Sequence, residues 1–353
     1  MKIVVYAIAL NEAKHVARFC EAAAEADEIF VADTGSRDET VKLLHEYGAT
    51  VARLSIKPWR FDDARNAALS MLPEDIDVCV SLDLDEELQP GWRAEIERVW
   101  KPGETTRLRY GFDWGAGIVF SYEKIHARHG YRWMCPVHEY PVADRITENV
   151  MNTDALLVIH KPDPNKSRGQ YLDILRVSVE ENPEEPRNAF YYARELSFHA
   201  KWSEAIEQGK RYLSLKRADW PNERCYAMRV ISQSYGELKQ WAMALDWARR
   251  ACSEAEHTRE PWCELARLCY LTSRWPECLG AALTCLKIQH REKLYTTDPA
   301  VWGWQPHDWA SIAAWNVGLK ELALEHAKKA LEFAPDDMRL RRNLELVSGE
   351  KAA

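Results

Sequence analysis

No apolar run in the 353-residue chain approaches the ~18–20 residues needed to span a bilayer. The opening residues, Met1-Lys2-Ile3-Val4-Val5-Tyr6, have neither a long apolar core nor a small-residue cleavage site, so they read as a first strand and not as a secretory leader. Cysteine is present without a pattern. There are nine, an odd number, with no CxxC and no Cys/His ligand spacing. That argues against a disulfide framework or a structural zinc and fits a reducing cytoplasm. A basic excess is missing too: 47 lysines and arginines face 55 aspartates and glutamates, for a net charge of −8. The overall footprint of a nucleic-acid binder is therefore absent. A membrane-spanning protein and a disulfide-stapled secreted one are both disfavoured.

What is present divides the chain in two. The composition, 46% hydrophobic and 29% charged, is that of a globular protein of about two domains. Residues 1–162 hold 19 basic and 27 acidic side chains, whereas residues 163–353 hold 28 of each, so the acidic surplus lies in the first half. Within that acidic half, Lys124, His126, Arg128, His129 and Arg132 form a short basic stretch, which leaves room for a local basic patch.

The first half alternates strand and helix signals. Strands are expected at 3–10, 28–33, 50–54 and 77–82, and helices at 12–26, 40–47 (stopped by Gly48) and 61–72. Alternation of this kind implies an α/β domain with a mostly parallel sheet, whose ligands lie beyond the carboxyl ends of the strands. Asn11, Asp33, Asp83 and Asp85 stand at those ends. A further short strand, 156–162, ends at His160. Beyond Asn182-Pro183-Glu184-Glu185-Pro186 the strand signal stops and paired amphipathic helices take over. Trp202, Trp241 and Trp275 recur at spacings of 39 and 34, near the period of tetratricopeptide (TPR) repeats, and read as core wedges between paired helices. The segment 290–306 interrupts the repeats and is too irregular for a helix pair. It is either an idle insertion or a functional loop, and its large groups Tyr295, Trp302 and Trp304 are candidates to touch an acceptor. The expected organisation is 1–165, a helical linker 166–186, and an all-α repeat domain 187–353.

Asp83-Leu84-Asp85 is the sharpest local feature. Alternate residues on a strand point the same way, and paired carboxylates at a strand end suit a hard divalent cation that also takes substrate phosphates. Acids also end many strands for solubility alone. Asp33-Thr34-Gly35-Ser36-Arg37-Asp38-Glu39-Thr40 is a strand–turn–helix connection with Ser36 or Asp38 as N-cap, and Asp33 is placed to accept from a base or ribose. The two roles use different residues.

These motifs resemble the family 2 glycosyltransferases of GT-A fold over roughly residues 1–160. The resemblance is carried, in matching order and spacing, by Ala9-Leu10-Asn11-Glu12, the DTGSRDET turn, Phe61-Asp62-Asp63-Ala64-Arg65-Asn66 and SLDLDEEL. It implies transfer of a sugar from a nucleotide sugar, usually a UDP-sugar, with a divalent metal (Mn2+ or Mg2+). By that likeness Asp85 is the direct metal ligand, Asp83 a ribose contact, Asp33 the base reader and Arg65 a helix residue near the nucleotide. His160 suits a late histidine of the metal shell. Inverting members place an acidic general base near Tyr131–Glu139, which makes Glu139 the candidate and His138 either its alternative or an acceptor-orienting group. The family's QxxRW motif is not found, which counts against a processive synthase.

Repeats fused to such a domain resemble two groups: bacterial peptide S- and O-glycosyltransferases, and phage or environmental sequences, some of which decorate hydroxymethylated DNA bases. The acceptor expected is accordingly a modified DNA base or a peptide side chain, met in the cytoplasm (the host's, for a phage enzyme). The acidic balance argues mildly against DNA and the 124–132 stretch mildly for it. The repeats offer an extended surface for such a macromolecule or for a homodimer. The rival from another class is a TPR-type scaffold carrying an inactive catalytic domain, disfavoured by intact acids at 33, 83, 85 and 139.

Overall fold

The computed structural model describes residues 1–115, 117–163, 169 and 171–349. They fall into two units, Met1–Ser178 with Lys293–Tyr295, and Val179–Glu292 with Thr296–Ala353. The boundary expected at 165/166 lies outside the described residues. Among the described residues no helix is long and apolar enough to cross a membrane.

The first unit runs β1 (Ile3–Ala9), α1 (Ala13–Ala22), β2 (Glu28–Asp33), α2 (Thr40–Glu46), β3 (Thr50–Arg53), α3 (Phe61–Ser70), β4 (Val78–Ser81), β5 (Glu86–Leu88), α4 (Trp92–Val99), β6 (Arg107–Gly115), β7 (Ile118–Ala127), β8 (Tyr131–Met134), β9 (Tyr140–Ala143) and β10 (Val150–His160), with α5 (Tyr171–Glu181) after them. β1 is apolar at nearly every position because both its faces are covered. Ile3, Val5 and Ala7 share a core with Val16 and Phe19 of α1, while Val4 and Tyr6 share another with Ala68 and Leu69 of α3.

Eight strands form one sheet in the order β3-β2-β1-β4-β7-β6-β10-β5, and β8 pairs with β9 separately. The sheet is mixed but mostly parallel, with two strands running against the other six. β3, β2, β1 and β4 pair in parallel, as do β6 and β10, but β7 runs against both β4 and β6, and β5 against β10. β6 ends at Gly115 and β7 begins at Ile118, too short a gap for the crossover that a parallel pair needs. β10 is also longer than the 156–162 strand expected. A register shift between Asn152 and Leu157 breaks its alternation, which hides the first residues among polar ones. With two reversals between β4 and β6, the carboxyl ends of β1, β2, β4, β6 and β10 lie on one sheet edge.

A chain of buried polar groups crosses this unit. Trp133 Nε1 donates to the Tyr6 hydroxyl (2.8 Å), which lies 3.0 Å from His126 Nε2, and His126 Nδ1 lies 2.8 Å from the Ala127 carbonyl. The pattern is satisfied when His126 is neutral, with Nδ1 donating and Nε2 accepting. Burial pushes its pKa down to about 4. Because the folded value lies below the unfolded one, the unfolded chain binds the proton more readily. This contribution is present above about pH 6.5 and is lost as pH falls toward 4, up to about 3 kcal/mol. Urea unfolding between pH 7 and 4.5 should show a slope that His126→Gln removes. An unchanged slope would mean that His126 is not held neutral.

The second unit is helical: α6 (Pro186–Phe198), α7 (Trp202–Ser214), α8 (Pro221–Glu237), α9 (Trp241–Glu254), α10 (Arg259–Leu271), α11 (Trp275–Lys287), a 3₁₀ turn at Pro299–Trp302, α12 (Gln305–Asn316), α13 (Lys320–Phe333) and α14 (Met338–Ser348). It is a TPR-like array. Each hairpin turn carries one residue in the left-handed region: Ala200, Lys239, Ser273 and Gly318, with φ of 55°, 58°, 56° and 84°. Trp202, Trp241 and Trp275 each open the second helix of a pair and are half-buried. Alanines fill the interior, among them Ala244, Ala248, Ala282, Ala313 and Ala323.

Candidate active site

The end of β1 meets the turn after β2. Asn11 adopts a left-handed φ of 56°, a conformation that asparagine tolerates better than most residues. Its backbone N donates to Ser36 Oγ (2.8 Å) and its Oδ1 accepts from Arg37 N (2.8 Å). The buried Asp33 carboxylate accepts from Gly35 N (3.1 Å) and Ser36 N (3.2 Å). Asp38, and not Ser36, reaches the start of α2, accepting from Thr40 N at 3.1 Å. An open hollow of ≈ 330 Å³ beside this turn is lined by Asp33, Gly35, Ser36, Arg53, Leu54 and Ser55. A carboxylate has acceptor capacity beyond the two backbone donors it satisfies here.

α3 fixes the opposite side. Asn66 acts as a strand partner for Trp133: its Nδ2 donates to Trp133 O (2.9 Å), and Trp133 N donates to its Oδ1 (2.8 Å). Phe61 N donates to Pro136 O at 2.9 Å. These bonds tie β8 and residues 135–139 against the helix, and so bring Glu139 to Arg65. The buried Arg65 guanidinium lies 4.8 Å from the Trp133 ring centroid. Its Nε donates to Glu139 Oε1 (2.5 Å), its Nη1 to Ser81 Oγ (3.2 Å), and its Nη2 to Asp83. One fork-shaped cation thus joins acids 56 positions apart in the chain.

Asp83 has a second cation. Lys124 Nζ, reaching in from β7, donates to Asp83 Oδ2 (3.1 Å) and to Glu86 Oε1 (2.9 Å). Burial would raise the Asp83 carboxyl, but Arg65 and Lys124 outweigh it and hold it well below the ordinary carboxylate range. Glu86 goes the other way. Burial lifts it to about 7, Lys124 offsets this only in part, and Asp83 adds to it. Asp83 therefore stays ionised, with 37% of its side chain still exposed.

Asp85 meets His160 because β5 pairs antiparallel with β10, with Glu86 opposite His160. His160 Nε2 lies 3.4 Å from Asp85 Oδ2, and its buried Nδ1 has no hydrogen-bond partner among the described residues. An imidazole nitrogen facing a carboxylate oxygen suits a hard cation that takes its other ligands from phosphate and water. Among the described residues, no three His, Cys, Asp or Glu side chains converge on one metal position. The donor set fits a cation shared with a substrate and not a closed protein cage.

Residues 4–109 match Glycosyl transferase family 2. The matched segment contains Asn11, Asp33, Arg65, Asp83 and Asp85, and the first unit carries the family's GT-A-like fold. No curated protein matches the chain. Among solved structures the chain is similar to YrrB, a TPR protein with an unusual peptide-binding site (14% identity, 50% of this chain and 82% of that one, TM-score 0.39). It is similar also to the MamA protein (14%, 52% and 86%, TM-score 0.38). A thermophilic TPR protein of Thermus thermophilus, TTC0263, is a third (18%, 51% and 91%, TM-score 0.37).

The remaining candidate residues take the following places. Arg65 is buried and holds both Asp83 and Glu139. His138 has a φ of 54°, its ring centroid 5.9 Å from that of Tyr171. Tyr295 belongs to the first unit and packs edge-on to Phe120 at 6.2 Å. Trp302 belongs to the second, where Arg259 lies 4.3 Å above its ring and its Nε1 donates to Glu260 (3.2 Å). Trp304 is half-buried with Arg339 at 5.2 Å.

The basic stretch is only partly at the surface. Lys124 and His126 are buried in β7 on either side of the buried Ile125, Arg128 and His129 bond the carbonyls of residues 72–74, and His129 and Arg132 stay exposed. Asn66, Ser81 and Lys124 were missed. The signal for Lys124 was the period-two run Phe120-Tyr122-Lys124-His126, which sends a lysine to the same face as aromatics.

Proposed function

We propose that the protein is an inverting glycosyltransferase that moves a sugar from a nucleotide sugar of UDP type to a hydroxyl or thiol of a macromolecular acceptor. The observation that carries this reading is the meeting of Asp83 and Glu139 on Arg65, because it joins the expected donor acid to the expected base. The base of the nucleotide would lie in the hollow beside Asp33, and the ribose against Asp83. Asp85 and His160 would hold a divalent cation, which when bound neutralises charge on the diphosphate. Glu139 takes the acceptor proton as the acceptor atom attacks the anomeric carbon and the nucleoside diphosphate leaves. Arg65 engages Oε1 of Glu139, fixing the carboxylate's orientation, and the proton goes to Oε2. His138, next in the chain, orients the acceptor.

A peptide or protein side chain is the favoured acceptor over a hydroxymethylated DNA base, because Lys124 and His126, two members of the basic stretch that spoke for DNA, are buried. The test is intact-mass analysis after incubation with a nucleotide-sugar panel and either host peptides or hydroxymethylated DNA. A hexose-sized mass increase on peptide is expected. An increase on DNA alone would reverse the choice of acceptor, and none on any acceptor would remove the reading.

Within the second unit, Trp302 and Trp304 are the rings that this reading offers to an acceptor. Trp302 also packs on the Cys263–Cys285–Val301 cluster. We expect Trp302→Ala to lower the melting temperature, whereas Trp304→Ala should spare it and weaken transfer. Loss of melting temperature in both would assign both rings to packing.

A further inference from the structure

β6 ends in an aromatic cluster in which Phe112 belongs to the core and Phe120 and Tyr122 pack against it, leaving Trp114 as the ring that the core does not account for. Phe112, Trp114, Phe120 and Tyr122 lie on one face of the β6–β7 hairpin. The Phe112 ring is buried, with Tyr122 at 4.8 Å, Phe120 at 5.3 Å and Trp114 at 6.2 Å. Trp114 is different. Its ring rests on the His160 imidazole, centroids 4.3 Å apart at 32°, and 39% of the residue stays exposed. A large ring at a sheet edge, braced from behind and open in front, is a surface built to be covered.

Position decides what covers it. β6 and β10 are parallel, with Ile159 opposite Asp113, so Trp114 and His160 leave the sheet side by side. His160 is the partner of Asp85, where the proposed function puts the diphosphate. The sugar is bonded to that diphosphate, so its ring must lie next to the Asp85–His160 pair. A pyranose has an apolar face of C–H groups that packs on an aromatic ring, while its hydroxyls stay at the rim for polar groups.

We infer that Trp114, flanked by Phe120, is the platform on which the hexosyl ring of the donor stacks, and that it sets preference among nucleotide sugars. This rests on the glycosyltransferase reading. Phe112 and His160 brace the platform, and Trp114 supplies the contact.

The test is calorimetric titration of the full-length protein, with manganese, against UDP and against a panel of UDP-hexoses. Wild type should bind one UDP-hexose about tenfold more tightly than UDP. Trp114→Ala should remove that difference and leave UDP affinity unchanged, and Trp114→Phe should keep part of it. The exposure of Trp114 predicts an unchanged melting temperature in both variants. Should Trp114→Ala keep the wild-type preference, or weaken UDP and UDP-hexose equally, the platform is not a sugar subsite. A wild-type protein that binds neither compound overturns the glycosyltransferase reading and this inference with it.

Discussion

Glu139→Gln should lower sugar transfer by about 10²–10⁴-fold, the usual cost of losing a general base. Glutamine keeps the length of the side chain and an oxygen for Arg65 Nε, so the loop at 135–139 should stay in place. Nucleotide binding should persist, because Asp33, Asp83 and Asp85 are untouched. The informative comparison is with His138→Ala. The histidine lies in the same loop but does not share the Arg65 fork, so its loss should cost less than that of Glu139. Normal transfer by Glu139→Gln together with loss in His138→Ala would give the base role to the histidine. Measuring turnover and donor affinity in both variants separates a lost proton acceptor from a displaced loop.

Arg65 variants should show the largest effect on stability. Removing one partner of a buried ion pair costs roughly 3–5 kcal/mol, because the carboxylates left behind have no counter-charge. Arg65→Met strips the guanidinium from Asp83, Glu139 and Ser81 together, and Lys124 can compensate only at Asp83. For a unit of this size that corresponds to a fall in melting temperature of about ten degrees. Arg65→Lys should recover most of the stability, since it restores a positive charge. It should not recover transfer, because a single ammonium cannot hold three partners in the geometry of the planar fork. Full transfer by Arg65→Lys would mean that charge alone matters and that the alignment of Asp83 with Glu139 does not.

The α/β half was legible in sequence where local pattern determines structure. β1 and β4 are short apolar runs, α1 and α3 have helical periodicity, and the acids stand just past the strands. What could not be read were pairings between distant segments. That His160 faces Asp85 follows from β5 lying antiparallel to β10 at the sheet edge, a contact 75 residues long in sequence. That Glu139 reaches Arg65 depends on Asn66 bonding both backbone groups of Trp133. The basic stretch failed for a local reason. Closeness in sequence places like charges together on a loop, but β7 is an interior strand of the sheet, and Lys124 and His126 are buried there together with Ile125 between them. In the repeats, helix pairs were legible from the tryptophan and alanine periods. The left-handed turn residues were not, because three of the four are not glycine.

The most direct measurement is release of nucleoside diphosphate from a panel of nucleotide sugars, with manganese and with EDTA, by the wild type and by Asp85→Asn. Asp85 stands in the connection between β4 and β5, outside the apolar core, so the substitution should leave melting unchanged. The expected result is release from at least one UDP-sugar in manganese, falling to background in chelator and in the variant. Release that is undiminished in EDTA or in Asp85→Asn, or no release from any nucleotide sugar, would contradict the account.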